Sequence, residues 1–241
     1  MKKIVLITAV IAVLITGLLV LTGCEEKKEQ NNITESIIAG GWKTILTNAK
    51  VNMDESVTKI FESAKSDYTA LELDPVALLG SQVVAGTNRM FLAKGYQKGE
   101  ETSAKYKIVI VYTDLQNKSS ITSVTDFDYS KYTHENIEGN DDILAGGWTV
   151  NIPTAGAKLD DEIQVAYDNA TSTITGVTYY PITTLGSQVV AGTNYAILCF
   201  ATPSVGEHER GTINVVTIYK DLNGKSEVIS QAYVNLADFN K

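Results

Sequence analysis

Leu79-Gly80-Ser81-Gln82-Val83-Val84-Ala85-Gly86-Thr87-Asn88 returns letter for letter as Leu185-Gly186-Ser187-Gln188-Val189-Val190-Ala191-Gly192-Thr193-Asn194, 106 residues later. Most of the sequence around the two copies has drifted. The same shift carries Ile37-Ile38-Ala39-Gly40-Gly41-Trp42 onto Ile143-Leu144-Ala145-Gly146-Gly147-Trp148, and Pro75 onto Pro181. Farther along, Tyr112, Asp114-Leu115 and Lys118-Ser119 match Tyr219, Asp221-Leu222 and Lys225-Ser226 at a shift of 107, so one residue is inserted between Asn194 and Tyr219. The chain reads as a tandem repeat, residues 37–132 and 143–241, joined by the polar stretch 133–142. Each repeat has a size that ordinarily folds alone.

Within each repeat the hydrophobic period changes. Val57, Ile60, Phe61 and Ala64 fall at i, i+3, i+4 and i+7, the stripe of an amphipathic helix, and Ile163, Ala166, Tyr167 and Ala170 repeat it. Asp54-Glu55 and Asp160-Asp161-Glu162 put acid at the helix start, where the dipole favours it. Lys105–Tyr112 and Thr212–Tyr219 are rich in β-branched and aromatic residues, as strands are. The expected order is one helix, a strand, a glycine-containing reversal and three more strands. The fold class expected is α+β: two tandem units, each with one α-helix packed on an antiparallel sheet of about four to five strands.

The chain's start addresses its compartment. Met1-Lys2-Lys3 precedes an apolar run from Ile4 to Leu21, and Leu21-Thr22-Gly23-Cys24 looks like a bacterial lipobox. Residues 1–23 are then a lipoprotein signal peptide, Cys24 the lipidated N-terminus and 24–36 a polar, aperiodic tether. This places the protein outside the cytoplasm, held to a membrane by more than one acyl chain, enough for stable attachment. Loss of Lys2 and Lys3 moves the formal charge from −8 to −10, which argues against nucleic acid as a partner. Apart from Cys24 the chain holds one cysteine, Cys199, read as a buried small hydrophobe.

Ser-Gln-Val-Val-Ala-Gly-Thr-Asn lies between two strand-like runs, and Gly86 and Gly192 are suited to a reversal with positive φ. A turn exposed to water rarely needs Val-Val beside its glycine, so the tip suggests a contact surface. It has no titratable group and cannot transfer protons. Small apolar side chains with exposed amides suit insertion into a cleft.

Gln82-Val83-Val84-Ala85-Gly86 and Gln188-Val189-Val190-Ala191-Gly192 resemble the first inhibitory hairpin of the cystatins, the stefin branch above all. In that family the hairpin enters the active-site cleft of papain-like cysteine peptidases beside a glycine near the N-terminus. Gly40-Gly41 and Gly146-Gly147 match that glycine element, with Ile38-Ala39 and Leu144-Ala145 as the subsite anchors the resemblance implies. A second hairpin completes the wedge, and its counterparts are Leu115-Gln116-Asn117 and Leu222-Asn223-Gly224. The second hairpin lacks the Pro-Trp of secreted cystatins and the proline usual in stefins, and Arg89 stands where the second repeat has Tyr195.

The resemblance implies two cystatin-like domains that reversibly and non-covalently block up to two papain-like peptidases per chain, without cofactor or metal. The alternative is a surface-anchored binding or adhesion module that inhibits nothing. An enzyme is not expected. His134 and His208 do not recur between repeats, and Gly-x-Ser-x-Gly, phosphate-loop and Cys/His metal spacings are missing from the sequence. The ten-residue linker, if flexible, would span roughly 15–20 Å, marginally enough to separate two bound peptidases, so crowding is expected to weaken the second binding event without removing either site.

Overall fold

Neighbouring residues of the central strands go to different cores, and that division builds the molecule. The computed structural model describes residues 41–44, 53–133, 147–151, 157–204 and 211–240. The first repeat contains β1 (Lys43–Thr44), α1 (Glu55–Lys65), β2 (Glu72–Val84), β3 (Gly86–Tyr96), β4 (Lys105–Thr113) and β5 (Ser119–Asp126). The second contains β6 (Thr149–Val150), α2 (Asp161–Thr171), β7 (Val177–Val190), β8 (Gly192–Pro203), β9 (Thr212–Lys220) and β10 (Ser226–Tyr233). Each set of strands forms one antiparallel five-stranded sheet, in order β1-β2-β3-β4-β5 and β10-β9-β8-β7-β6. Short 3-10 turns at Tyr129–Tyr132 and Leu236–Phe239 close the two repeats.

The helices fall where the apolar stripes place them. Asp54 caps α1, its Oδ1 accepting from the Val57 amide at 2.8 Å, and hydrogen bonds from Ser56 and Val57 hold its carboxyl below the ordinary range. Phe61 and Ala64 are buried on Leu73, Leu78, Phe91, Ala93, Val109 and Val111. In the second repeat Ile163, Tyr167 and Ala170 meet Ile197, Cys199, Val216 and Ile218. Cys199 is fully buried there and burial pushes its thiol up, so it is a protonated core residue.

The opposite faces of the two sheets close on each other. Met90, Leu92, Ile108 and Ile110 from the first sheet share one core with Leu185, Ala196, Leu198, Phe200 and Val215 from the second. The α+β expectation, one helix on one sheet in each of two cystatin-like domains, is therefore corrected. Among the described residues, strands hold about half, α-helix is confined to two 11-residue segments, and the body is mostly β. The physical reason is that each sheet has two apolar faces, of which a three-turn helix covers only one. The second face finds the other sheet, and residues Ile37–Lys241 make one compact unit.

The contacts between sheets are reciprocal. Gly80 lies against Leu236 of the second repeat, and Gly186, its repeat-mate, lies against Tyr129 of the first, which is the repeat-mate of Leu236. Such i-to-j, j-to-i pairing is the signature of an isologous, two-fold arrangement, here within one chain. Hydrogen bonds join the halves as well. Tyr106 Oη donates toward Thr184 O at 2.8 Å and Asn151 O at 2.9 Å, and Thr44 Oγ1 donates to Gly211 O at 2.8 Å. Tyr129 meets Trp148 edge-on, with ring centroids 6.0 Å apart.

Candidate functional site

One end of each sheet collects three chain elements. In the first, the residues Gly41-Trp42 before β1, the β2–β3 reversal and the β4–β5 reversal all lie at that end, because β1 pairs Lys43 with Ser81 and β3 pairs Thr87 with Thr113. Followed one residue at a time, the first register leads from Lys43 and Ser81 to Gly41 and Val83. The second repeat is the same: Thr149 pairs with Ser187 and Thr193 with Lys220, and the line from Thr149 leads to Gly147 and Val189. Gly41 and Gly147 are exposed. Ile38, Ala39, Gly40, Leu144, Ala145 and Gly146 lie outside the described residues, as do Cys24 with its signal and tether, and the linker beyond Thr133.

The β2–β3 tip is a one-residue reversal at Ala85, flanked by Val84 paired with Gly86. Gly86 has φ +131° and Gly192 φ +132°, where a side chain is strained. A Cβ on either would also stand well inside van der Waals distance of the neighbouring strand's carbonyl, Thr113 O or Lys220 O. Behind the tip, Asn88 Nδ2 donates to Gln82 Oε1 at 2.7 Å and Asn194 Nδ2 to Gln188 Oε1 at 3.0 Å. Gln82 is itself buried. The motif's glutamine and asparagine thus brace the hairpin from within, while its two valines lead outward. Val83 is 68% exposed and Val189 71%, and Ala85 and Ala191, two residues on, are exposed as well.

The β4–β5 tip is built on one carboxylate. Asp114 Oδ1 accepts from the amides of Gln116 at 2.9 Å and Lys118 at 2.8 Å, and Asn117 takes φ +65°. Asp221 Oδ1 repeats this with Asn223 and Lys225, both at 2.8 Å, and Gly224 takes φ +86°. Asparagine and glycine are the residues that tolerate this region. The turn holds Leu115 at 75% and Leu222 at 84% exposure. The two tips are tied together by Tyr112, whose hydroxyl donates to Ala85 O at 2.5 Å, and by Tyr219, which donates to Ala191 O at 2.6 Å. Tyr112 and Tyr219 were legible only as repeat positions, and their bracing role emerges from the fold.

The ends differ in what flanks the tips. In the second repeat a groove of about 570 Å³ runs between them, lined by Val189, Val190, Tyr195, Leu222 and the Glu162–Lys220 ion pair. That pair lowers the Glu162 pKa and raises that of Lys220. In the first repeat Arg89 replaces Tyr195, Thr113 replaces Lys220 and Ser56 replaces Glu162. Arg89 is part-buried, which depresses its pKa, and Nη1 donates to Thr113 Oγ1 at 3.0 Å. Among the described residues no carboxylate makes an ion pair with it.

No family model matches the chain, and no curated protein matches it significantly. Chemically, each end offers two projecting apolar knobs on a backbone held rigid from behind. The carboxylates of the β4–β5 and β9–β10 reversals, Asp114 and Asp221, are occupied as turn caps.

Proposed function

We propose that the protein is a reversible, non-covalent inhibitor of papain-like cysteine peptidases, working through the paired tips at the end of each sheet. The observation that carries this reading is the convergence, twice in one chain, of an exposed glycine, the Gln-Val-Val-Ala-Gly tip and a leucine-bearing turn at one sheet end. Fully burying a valine or leucine side chain in a cleft is worth roughly 1.5–3 kcal/mol. Little is lost to ordering because Tyr112, Asp114, Gln82 and their repeat-mates already fix the backbone. By the cystatin resemblance, Ile38-Ala39 and Leu144-Ala145, outside the described residues, would supply the subsite anchors. The inhibitor is held outside the cytoplasm by lipid on Cys24, needs no cofactor or metal, and does not act on nucleic acid.

Titration of papain activity with the whole chain in mild detergent tests the proposal. Inhibition should be reversible on dilution and should not extend to serine or metallopeptidases. Val83→Asp and Val189→Asp together should abolish it, because each forces an unpartnered carboxylate into an apolar cleft. Both positions are exposed, so the fold should persist. Full peptidase activity across several papain-like enzymes at high micromolar chain would sink the inhibitor reading and leave a binding module in its place.

A further inference from the structure

The relation between the two sheets decides where the two sets of tips point. Residues at the far end of the first sheet, Tyr106 at the start of β4 and Tyr129 beyond β5, touch Thr184, Gly186 and Trp148 in the tip-side half of the second. Residues at the far end of the second, Gly211 before β9 and Leu236 beyond β10, touch Thr44 and Gly80 in the tip-side half of the first. Distance from one tip therefore increases as distance from the other falls. With the tips at the same end, near-tip residues would meet near-tip residues, and they do not. The two-fold axis runs across the strands, and the tips face in opposite directions. The 14 residues of β7 span roughly 45 Å at ~3.3 Å each, which sets the scale of the separation.

We infer that the chain is a two-ended coupler that holds two peptidase molecules at once, one at each end, with neither partner touching the other. This rests on the inhibitor reading above and deepens it. The linker-based expectation of crowding falls away, because the stacked sheets and not residues 133–142 fix the spacing. The shared core joins the ends rigidly, so occupation of one end neither approaches nor screens the other. A membrane-held chain of this kind would gather peptidases in pairs as well as silence them.

The test uses the whole chain in detergent and papain whose catalytic thiol is blocked by a small methylthio group, followed by sedimentation velocity and by calorimetric titration. The expected result is a complex of one chain with two papain molecules. The two intrinsic affinities, read from Val83→Asp and Val189→Asp chains that each bind one papain, should each stay within about twofold in the wild type once statistical factors are removed. A wild-type complex that stops at one papain while both single variants bind, or a second affinity more than tenfold weaker than in the single variant, would overturn the inference and leave the inhibitor reading standing. Binding at neither end would overturn both. Retention of the wild-type circular dichroism melting curve in each variant separates lost contact from lost fold.

Discussion

If the two repeats share one core, damage to the second must loosen the first, and Leu198→Ala measures this. Leu198 has no exposed surface and faces the layer between the sheets, while its neighbours Ile197 and Cys199 face α2. Removing a buried leucine's branched end costs about 2–5 kcal/mol, and the upper half applies where the surroundings cannot collapse. Two hydrogen-bonded sheets meeting face to face are such surroundings, so about 3–5 kcal/mol is expected. At ~2–4 °C per kcal/mol for a body of this size, the melting temperature should fall by roughly 6–20 °C. Differential scanning calorimetry should show one transition before and after the change, with van't Hoff and calorimetric enthalpies in agreement. Hydrogen exchange supplies the decisive reading: the amides of Ile108 and Ile110 in β4 should lose protection together with those of β8. Two transitions of which only one moves, or unchanged β4 protection, would refute the shared core.

Gly192→Ala should lower stability by about 1–3 kcal/mol through its φ of +132° and the close carbonyl of Lys220, and should weaken papain binding at the second end alone. Burial pushes Tyr129 up to about 12 and raises Tyr106, so the unfolded chain loses these protons first; their stabilisation is complete below pH ~10 and is lost as pH rises toward the folded value, which a pH series of thermal melts on wild type and Tyr129→Phe will read as a shallower alkaline slope in the variant. Cys199 should resist alkylation in the native chain and react only on unfolding; labelling at the native rate of an exposed thiol would contradict its burial. Cys24→Ala should release the protein from membranes or leave an uncleaved precursor, checked by fractionation and mass spectrometry of the N-terminus.

Much of this architecture was legible, and what escaped left a trace in the sequence. The stripe at Val57, Ile60, Phe61 and Ala64 marked α1 because a helix on one sheet face has one apolar side. The strands carried a second message. A sheet with one wet face alternates apolar and polar residues, whereas Ile108-Val109-Ile110-Val111 and Ala196-Ile197-Leu198-Cys199 are apolar throughout. Both faces of those strands had to be covered, and one helix per repeat covers only one. At the tips, the reversal and its glycine followed from turn chemistry, but the braces did not. Tyr112 reaches back across 27 residues to Ala85 O, and Gly80 is constrained by Lys43 O at 2.8 Å from an ideal Cβ, contacts that no local pattern encodes.

The ten repeated letters separate into those the fold needs and those it does not. Leu79 and Leu185 fill the shared core. Gly80 and Gly186 admit the edge strand, each with a carbonyl 2.8 Å from where a Cβ would stand. Gln82 with Asn88, and Gln188 with Asn194, brace the hairpin, and Gly86 and Gly192 turn it. None of these demands that the outermost side chains be valine, because Val83 and Val189 rest mostly in water, where exposed apolar surface contributes nothing to folding. On the inhibitor reading, their identity in both copies serves contact with a peptidase. On that reading Arg89 would make the contact unequal. A part-buried guanidinium that pairs with no carboxylate among the described residues favours a partner with an acidic cleft rim at the first tip, while Tyr195 and the neutralised Glu162–Lys220 pair favour an uncharged one. Binding at the first end should therefore weaken more steeply with salt than binding at the second, and Arg89→Tyr should bring the two slopes together. Equal salt dependence in the wild type would assign Arg89 to holding Thr113 alone.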